Sequence, residues 1–216
     1  MLEWGFSKPI YVETTAVDER LLQGLTIDAI DQRFSDLSHP QILFMSRIER
    51  SKGIYELIDA FVTIKECIPE AFLTIAGAGN ESAKIREYIE SKGIMNICLL
   101  GFIQGSKKRR VLNQTHLFVL PSYSEGMSNA ILEAMAFGIP VIATKVGGLL
   151  DFFEDSIHGY YIDLKSSSSI ATKSIEMLSN PLVMREMAHS NFNLSRERFV
   201  ASVVVKRLEK IYDTLL

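Results

Sequence analysis

Glu125 and Glu133 are the two charged side chains of the run PSYSEGMSNAILEAMAFGIPVIAT, Pro121 to Thr144, which is otherwise built of small, apolar or uncharged residues. Such a run is suited to burial, and an unpartnered buried carboxylate costs several kcal/mol, so each must meet a cation or a hydrogen-bonding group. The partner can be a lysine or arginine from elsewhere in the chain, or the hydroxyls of a bound ligand. The residues alone leave both open, and the neighbouring ones could supply a ligand site. A helix starting near Gly126, Met127, Ser128 and Asn129 would present free backbone N–H groups and the positive end of its dipole, which together bind anions. Met127 would serve there through its backbone rather than its sulfur. Arg47 and Lys52, in SRIERSKG, could bring two cations to the same anion. That combination suits a diphosphate, which Arg grips bidentately and Lys as a point charge. Glu133 would sit one to two turns inside the helix, about 6 to 10 Å from its start, within reach of a ribose diol. Glu125, before the helix, would face a sugar on the other side of the diphosphate.

These residues need a scaffold that brings several loops together. The apolar runs QILFMS, AFLTIAG, NICLLG, HLFVLPS, IPVIAT and GYYID are continuous rather than alternating, as in parallel strands buried on both faces. Between them run helical patterns. In GIYELIDAFVTI, the residues Ile54, Leu57, Ile58, Phe61 and Ile64 form one stripe. ESAKIREYIESKG is closed by Gly93, and SNAILEAMAFG by Gly138 with Pro140 beyond. The βαβα alternation from about Gln41 to Asp163 predicts an α/β fold, a Rossmann-like doubly wound parallel sheet with helices on both faces. Three helices follow, the last carrying Val200, Val203, Val204, Leu208, Ile211 and Leu215 on one face. PIYVETTAV reads as an edge strand. Ligands in such sheets bind at the carboxyl ends of strands, where the loops carrying Arg47, Gly77, Glu125 and KVGG all emerge.

Composition narrows the class. Hydrophobic residues make up 47% and charged residues 23%, with a net charge of −3, which excludes disorder and gives no global attraction for nucleic acid. Cys67 and Cys98 have no Cys or His at metal-ligand spacing and read as core fillers of a protein in a reducing, cytoplasmic compartment. His39, His116, His158 and His189 are dispersed and are assigned no catalytic or metal role. Lys107 to Arg110 reads as a solvated helix start, its sharper reading being contact with anionic lipid or nucleotide. GAGNES has Ser82 at the third position of a GxGxxG fingerprint, which weakens a dehydrogenase reading.

The Glu-x7-Glu spacing inside PSYSEGMSNAILEAMAFGIPVIATKVGG resembles the signature of retaining glycosyltransferases of the GT-B type, in particular glycosyltransferase family 4. SRIERSKGIYELIDAF is similar to the family's (Gly/Ser)-Arg-(Leu/Ile)-x3-Lys-Gly segment, LTIAGAGNE to its third strand and glycine turn, and ICLLGFI to the strand and loop near the nucleotide base. GGLLDFFEDSIHGYYID, FVASVVVKRLEKIY and WGFSKPIYVETTAVD resemble further segments, so nearly the whole chain is covered. Ser46 stands where many relatives have glycine, and Asp151 where glutamate commonly follows the Gly-Gly pair.

The resemblance implies the C-terminal, donor-binding domain of a GT-B enzyme. Residues 1–216 would form one nucleotide-sugar-binding domain, with 1–40 as entry strand and connector and about 198–216 as terminal helix. Arg47, Lys52 and Glu125 would act on the reacting donor. Gly77, Phe102, Ile103, Gly126, Met127, Ser128, Asn129 and Glu133 would hold its nucleotide. It further implies no cofactor and no metal, a glycan or lipid-linked acceptor, peripheral contact with the inner membrane face, and an N-terminal domain supplied in cis or trans. Two alternatives share the site: a module that binds nucleotide sugar without turnover, and a GT-B nucleotide-sugar epimerase relative.

Overall fold

The computed structural model describes residues 10, 11 and 13–214. Six strands form one parallel sheet: β1 Gln41–Met45, β2 Phe72–Ala76, β3 Ile97–Gly101, β4 Leu117–Leu120, β5 Val141–Thr144 and β6 Gly159–Ile162. Their order is β3-β2-β1-β4-β5-β6, the doubly wound arrangement expected from the alternation of runs and stripes. β1 pairs from Gln41 opposite Phe72 to Met45 opposite Ala76, and on its other side Ile42 lies opposite Leu117. The central strands β1, β4 and β5 are almost wholly buried, because helices cover both of their faces. β3 departs from the expected double burial. It is a sheet edge, and Ile97 to Leu100 are only half-buried.

Helices α1 Ile27–Arg33, α2 Ile54–Cys67, α3 Ser82–Lys92, α4 Gly105–Gln114 and α5 Asn129–Ala136 alternate with β1 to β5, and α6 Ser167–Leu178, α7 Pro181–Arg198 and α8 Ala201–Asp213 follow β6. The α2 stripe is entirely buried, and α2 packs against α6 while α5 packs against α7. Gly93 ends α3 in the left-handed conformation, as its position predicted. Of the apolar face expected on α8, Val204 is buried and Val203, Leu208 and Ile211 are half-covered; Leu215 lies outside the described residues.

The expected edge strand PIYVETTAV is not formed among its described residues; Pro9 and Val12 lie outside them, as does the WGFSKP segment. Instead Val17 makes one parallel bridge to Val200, donating to the Phe199 carbonyl at 2.8 Å, and Arg207 of α8 grips Glu13 with two hydrogen bonds of 2.6 and 2.7 Å. The cysteines also differ from expectation. Cys67 is exposed because it ends α2 after the stripe has turned off the core, and Cys98 is only half-buried on the edge strand.

At the amino end of the sheet, His116 is structural. Its Nδ1 accepts the Gln41 N–H at 2.9 Å, which leaves Nε2 to donate to the Arg33 carbonyl at 3.1 Å. The Arg33 guanidinium in turn donates to the carbonyls of Thr115 and Phe137 at 3.2 and 2.7 Å. Burial and the neighbouring Arg33 charge push His116 down to about 4, so it is neutral at neutral pH.

Candidate functional site

Chain order reverses between β1 and β4, so the loops leaving their carboxyl ends turn to opposite faces and open a crevice. A cavity of about 610 Å³ lies there. Its walls include Arg47 and Lys52 after β1, Gly77 after β2, Phe102 and Ile103 after β3, Glu125, Met127 and Ser128 after β4, and Asn129 and Glu133 on α5. All the anticipated site residues therefore converge on one cavity except Gly126. That residue is exposed and lines a small neighbouring cavity instead, its carbonyl accepting the Gly148 N–H at 2.6 Å.

Close backbone approach holds these loops together. Gly53 caps α2 with φ of 68°, and a Cβ there would lie 2.1 Å from the Pro121 carbonyl oxygen, so the β1 and β4 loops meet without an intervening side chain. Gly147 repeats the device with φ of 63° and a virtual Cβ 2.0 Å from the Glu125 carbonyl oxygen. The Tyr123 N–H donates to the Ser51 carbonyl at 2.8 Å, and its hydroxyl donates to Glu56 of α2 at 2.6 Å. Burial and that carboxylate push the Tyr123 phenol up to about 12, which keeps it a donor.

α5 starts where the sequence placed a helix start. Ser128 caps it, its hydroxyl accepting the Ile131 N–H at 3.4 Å, and the N–H groups of Asn129 and Ala130 precede the first intrahelical bond. Both residues line the cavity together with Arg47, whose side chain is 71% exposed and paired with Glu49 at 2.9 Å, so the positive end of the helix dipole lies at that wall. An exposed arginine held by one surface carboxylate can exchange it for another anion at little cost.

Glu125 and Glu133 differ from the expectation of ligand partners alone. Each already has a protein cation. Lys52 donates to Glu125 Oε1 at 2.7 Å, and the buried Ser122 hydroxyl donates to the same oxygen at 2.7 Å. Lys108 of α4 donates to Glu133 Oε1 at 2.6 Å. All four charged side chains are largely covered, at 11–20% exposure, and at that depth an ion pair with further hydrogen bonds is the form in which a carboxylate is tolerated. The reading of Lys107 to Arg110 as a solvated helix start fails for Lys108, which lines the cavity, and for Arg109, which donates to the Gln23 carbonyl. Lys107 and Arg110 are exposed. A signal for Lys108 was present: it stands four residues before the buried Leu112, on the inward side of α4. Ser122 carries no signal in the sequence, because a lone serine at a strand end forms no pattern. Among the described residues, no group of three or more His, Cys, Asp or Glu side chains could hold a metal ion, and no helix is long and apolar enough to cross a membrane.

Residues 28–193 match the profile of the glycosyl transferases group 1. The chain is 28% identical over 219 aligned residues to the capsular polysaccharide biosynthesis glycosyltransferase CapM of Staphylococcus aureus, the alignment covering 100% of this chain and 55% of that protein. It thus spans about half the length of the curated relatives it matches. Among solved structures, the C-terminal domain of the glycosyl transferase group 1 family protein LpcC from Francisella tularensis superposes with a TM-score of 0.72 at 24% identity, over 86% of this chain and 99% of that one. Anabaena Alr3699/HepE, solved in complex with UDP and glucose, superposes with a TM-score of 0.74 at 23% identity, over 93% of this chain and 55% of that one.

Proposed function

Because the chain belongs to the glycosyl transferases group 1, we propose that its cavity is the donor half of a retaining glycosyltransferase active site, taking a nucleoside-diphosphate sugar. What supports this reading is the meeting of Arg47, Lys52, the α5 N-terminus and Glu133 around one cavity of about 610 Å³, within the volume range usual for small-molecule sites. The neighbour solved with UDP and glucose has the same fold. On this reading Glu133 accepts from the ribose diol, and the loop of Phe102 and Ile103 borders the base. Arg47 and the Asn129 and Ala130 amides receive the diphosphate.

The chemistry asked of these residues is leaving-group stabilisation. As the anomeric C–O bond breaks, negative charge grows on the departing diphosphate and positive charge on the sugar ring. Arg47, the α5 amides and the two Lys52 N–H donors not used on Glu125 stand on the side where negative charge accumulates, and such preorganised donors accelerate because they need no rearrangement as charge develops. Glu125, fixed by Lys52 and Ser122, borders the sugar and orients its hydroxyls. The acceptor hydroxyl oxygen bonds the anomeric carbon on the face the diphosphate leaves, its proton passing to the departing phosphate oxygen, so that the configuration is retained. This charge set makes a divalent metal unnecessary in the reading. A glycan or lipid-linked acceptor would be presented by an N-terminal domain in cis or trans, with the membrane face nearby. The chain alone would show little transfer.

Calorimetric titration of the 216-residue chain with UDP, GDP, ADP and their hexose conjugates tests the proposal. Millimolar or tighter binding is expected for at least one, weakened about tenfold or more in both Arg47→Ala and Glu133→Ala, the worth of one charge-assisted hydrogen bond. Binding that neither substitution weakens would overturn the assignment.

A further inference from the structure

We propose that Lys108 is a positioning residue for Glu133 and, through it, sets the preference of this cavity for ribonucleotides. The inference rests on the donor-site reading above and extends it to a residue outside the anticipated site. Of the four consecutive cations Lys107 to Arg110, Lys108 alone lines the cavity; Lys107 and Arg110 are exposed, and Arg109 is held by the Gln23 carbonyl. Its ammonium crosses from α4 to α5 to meet Glu133 Oε1 at 2.6 Å, with both side chains largely covered.

A carboxylate has two oxygens and room for about four hydrogen bonds. Lys108 takes one position on Oε1, while Oε2 accepts no hydrogen bond among the described residues and is not sealed from solvent. A cis diol offers two hydroxyl donors on neighbouring carbons, which one carboxylate can meet with Oε2 and the remaining lone pair of Oε1. That double contact requires the carboxylate plane to be held. Glu133 has three rotatable side-chain bonds, and the lysine is the one side chain bonded to its carboxylate among the described residues. The ammonium also cancels the Glu133 charge in a cavity meant for an anion. The walls carry Arg47, Lys52 and Lys108 against Glu125 and Glu133, so loss of Lys108 removes the cationic excess.

These two effects separate experimentally. The charge effect acts on the diphosphate and is the same for ribose and 2′,3′-dideoxyribose nucleotides. The positioning effect acts on the diol alone. The readout is therefore the ratio of dissociation constants, dideoxy over ribo, for the tightest of UDP, GDP and ADP and its 2′,3′-dideoxy analogue. Wild-type protein should show a ratio of about ten or more, the worth of one charge-assisted hydrogen bond. Lys108→Met should weaken both ligands and cut the ratio at least threefold, toward that of Glu133→Ala; Lys108→Arg should restore it, with circular dichroism confirming that each variant is folded. A ratio unchanged or raised in Lys108→Met, while Glu133→Ala abolishes it, would overturn the inference and leave the donor site standing. A wild-type ratio near one with Arg47-dependent binding would remove Glu133 from ribose recognition and this inference with it. No nucleotide binding at all would remove the donor site itself.

Discussion

Replacing Gly53 by alanine tests whether the mouth of the cavity depends on backbone contact between the β1 and β4 loops. Gly53 and Gly93 share the left-handed conformation, at φ of 68° and 60°, but their surroundings differ: a Cβ on Gly53 would lie 2.1 Å from the Pro121 carbonyl oxygen, whereas nothing lies within 4 Å of one on Gly93. An alanine in this conformation costs about 1–2 kcal/mol, offset by about 0.4–1 kcal/mol from the stiffer unfolded chain. Gly93→Ala should therefore lose about 0.5–1 kcal/mol. Gly53→Ala incurs the same loss plus overpacking against backbone, about 1–3 kcal/mol more, since Pro121 is buried beside Ser122 and cannot swing aside as a side-chain tip would. A total of about 1.5–4 kcal/mol follows. Urea unfolding at constant m-value reads the difference, and nucleotide titration of the same proteins should show affinity lost in Gly53→Ala and kept in Gly93→Ala. Equal stability losses in the two variants would refute the argument that the loops are seated on each other through Gly53.

Two further predictions concern charge. Lys52→Met leaves Glu125 largely covered without its cation and should destabilise by about 1–3 kcal/mol, whereas the double variant with Glu125→Gln should recover part of that loss; a strictly additive double-mutant cycle would show that the pair is not coupled. His116 is pushed down to about 4 from an ordinary 6.5, so as pH falls through 6.5 the unfolded chain takes up a proton that the native chain refuses until about 4. Stability is therefore fully present above about 6.5 and falls by about 3 kcal/mol between 6.5 and 4. His116→Gln should flatten that window in a series of urea titrations, and an unchanged slope would assign it to other groups.

Much of this architecture was legible because it is written locally. Continuous apolar runs marked buried parallel strands, the Ile54 to Ile64 stripe marked α2, and Gly93 marked the end of α3. Arg47, Lys52, Glu125 and Glu133 stood out by type at strand ends and helix starts, and they do converge. What could not be read depends on which elements become neighbours. Glu133 finds Lys108 on another helix, 25 residues away in sequence, and a cluster of four cations hides the one that faces inward. The half-exposure of β3 follows from its place at the sheet edge, which strand order decides and the run ICLLG does not. Val17 pairs with Val200 across nearly the whole chain, so an expectation of a strand built on neighbouring residues had no access to its true partner.

The glycine-to-carbonyl seating of the loops has a consequence for how such a cavity can change. Gly53 rests on Pro121 and Gly147 on Glu125, main chain against main chain, so the spacing of the walls is independent of which side chains project from them. On the donor-site reading, exchanging the exposed Phe102 or Asn129 would alter the accepted base or sugar without disturbing the frame. Selectivity would then be a property of a few replaceable tips, above a seat that stays unchanged from one ligand to the next.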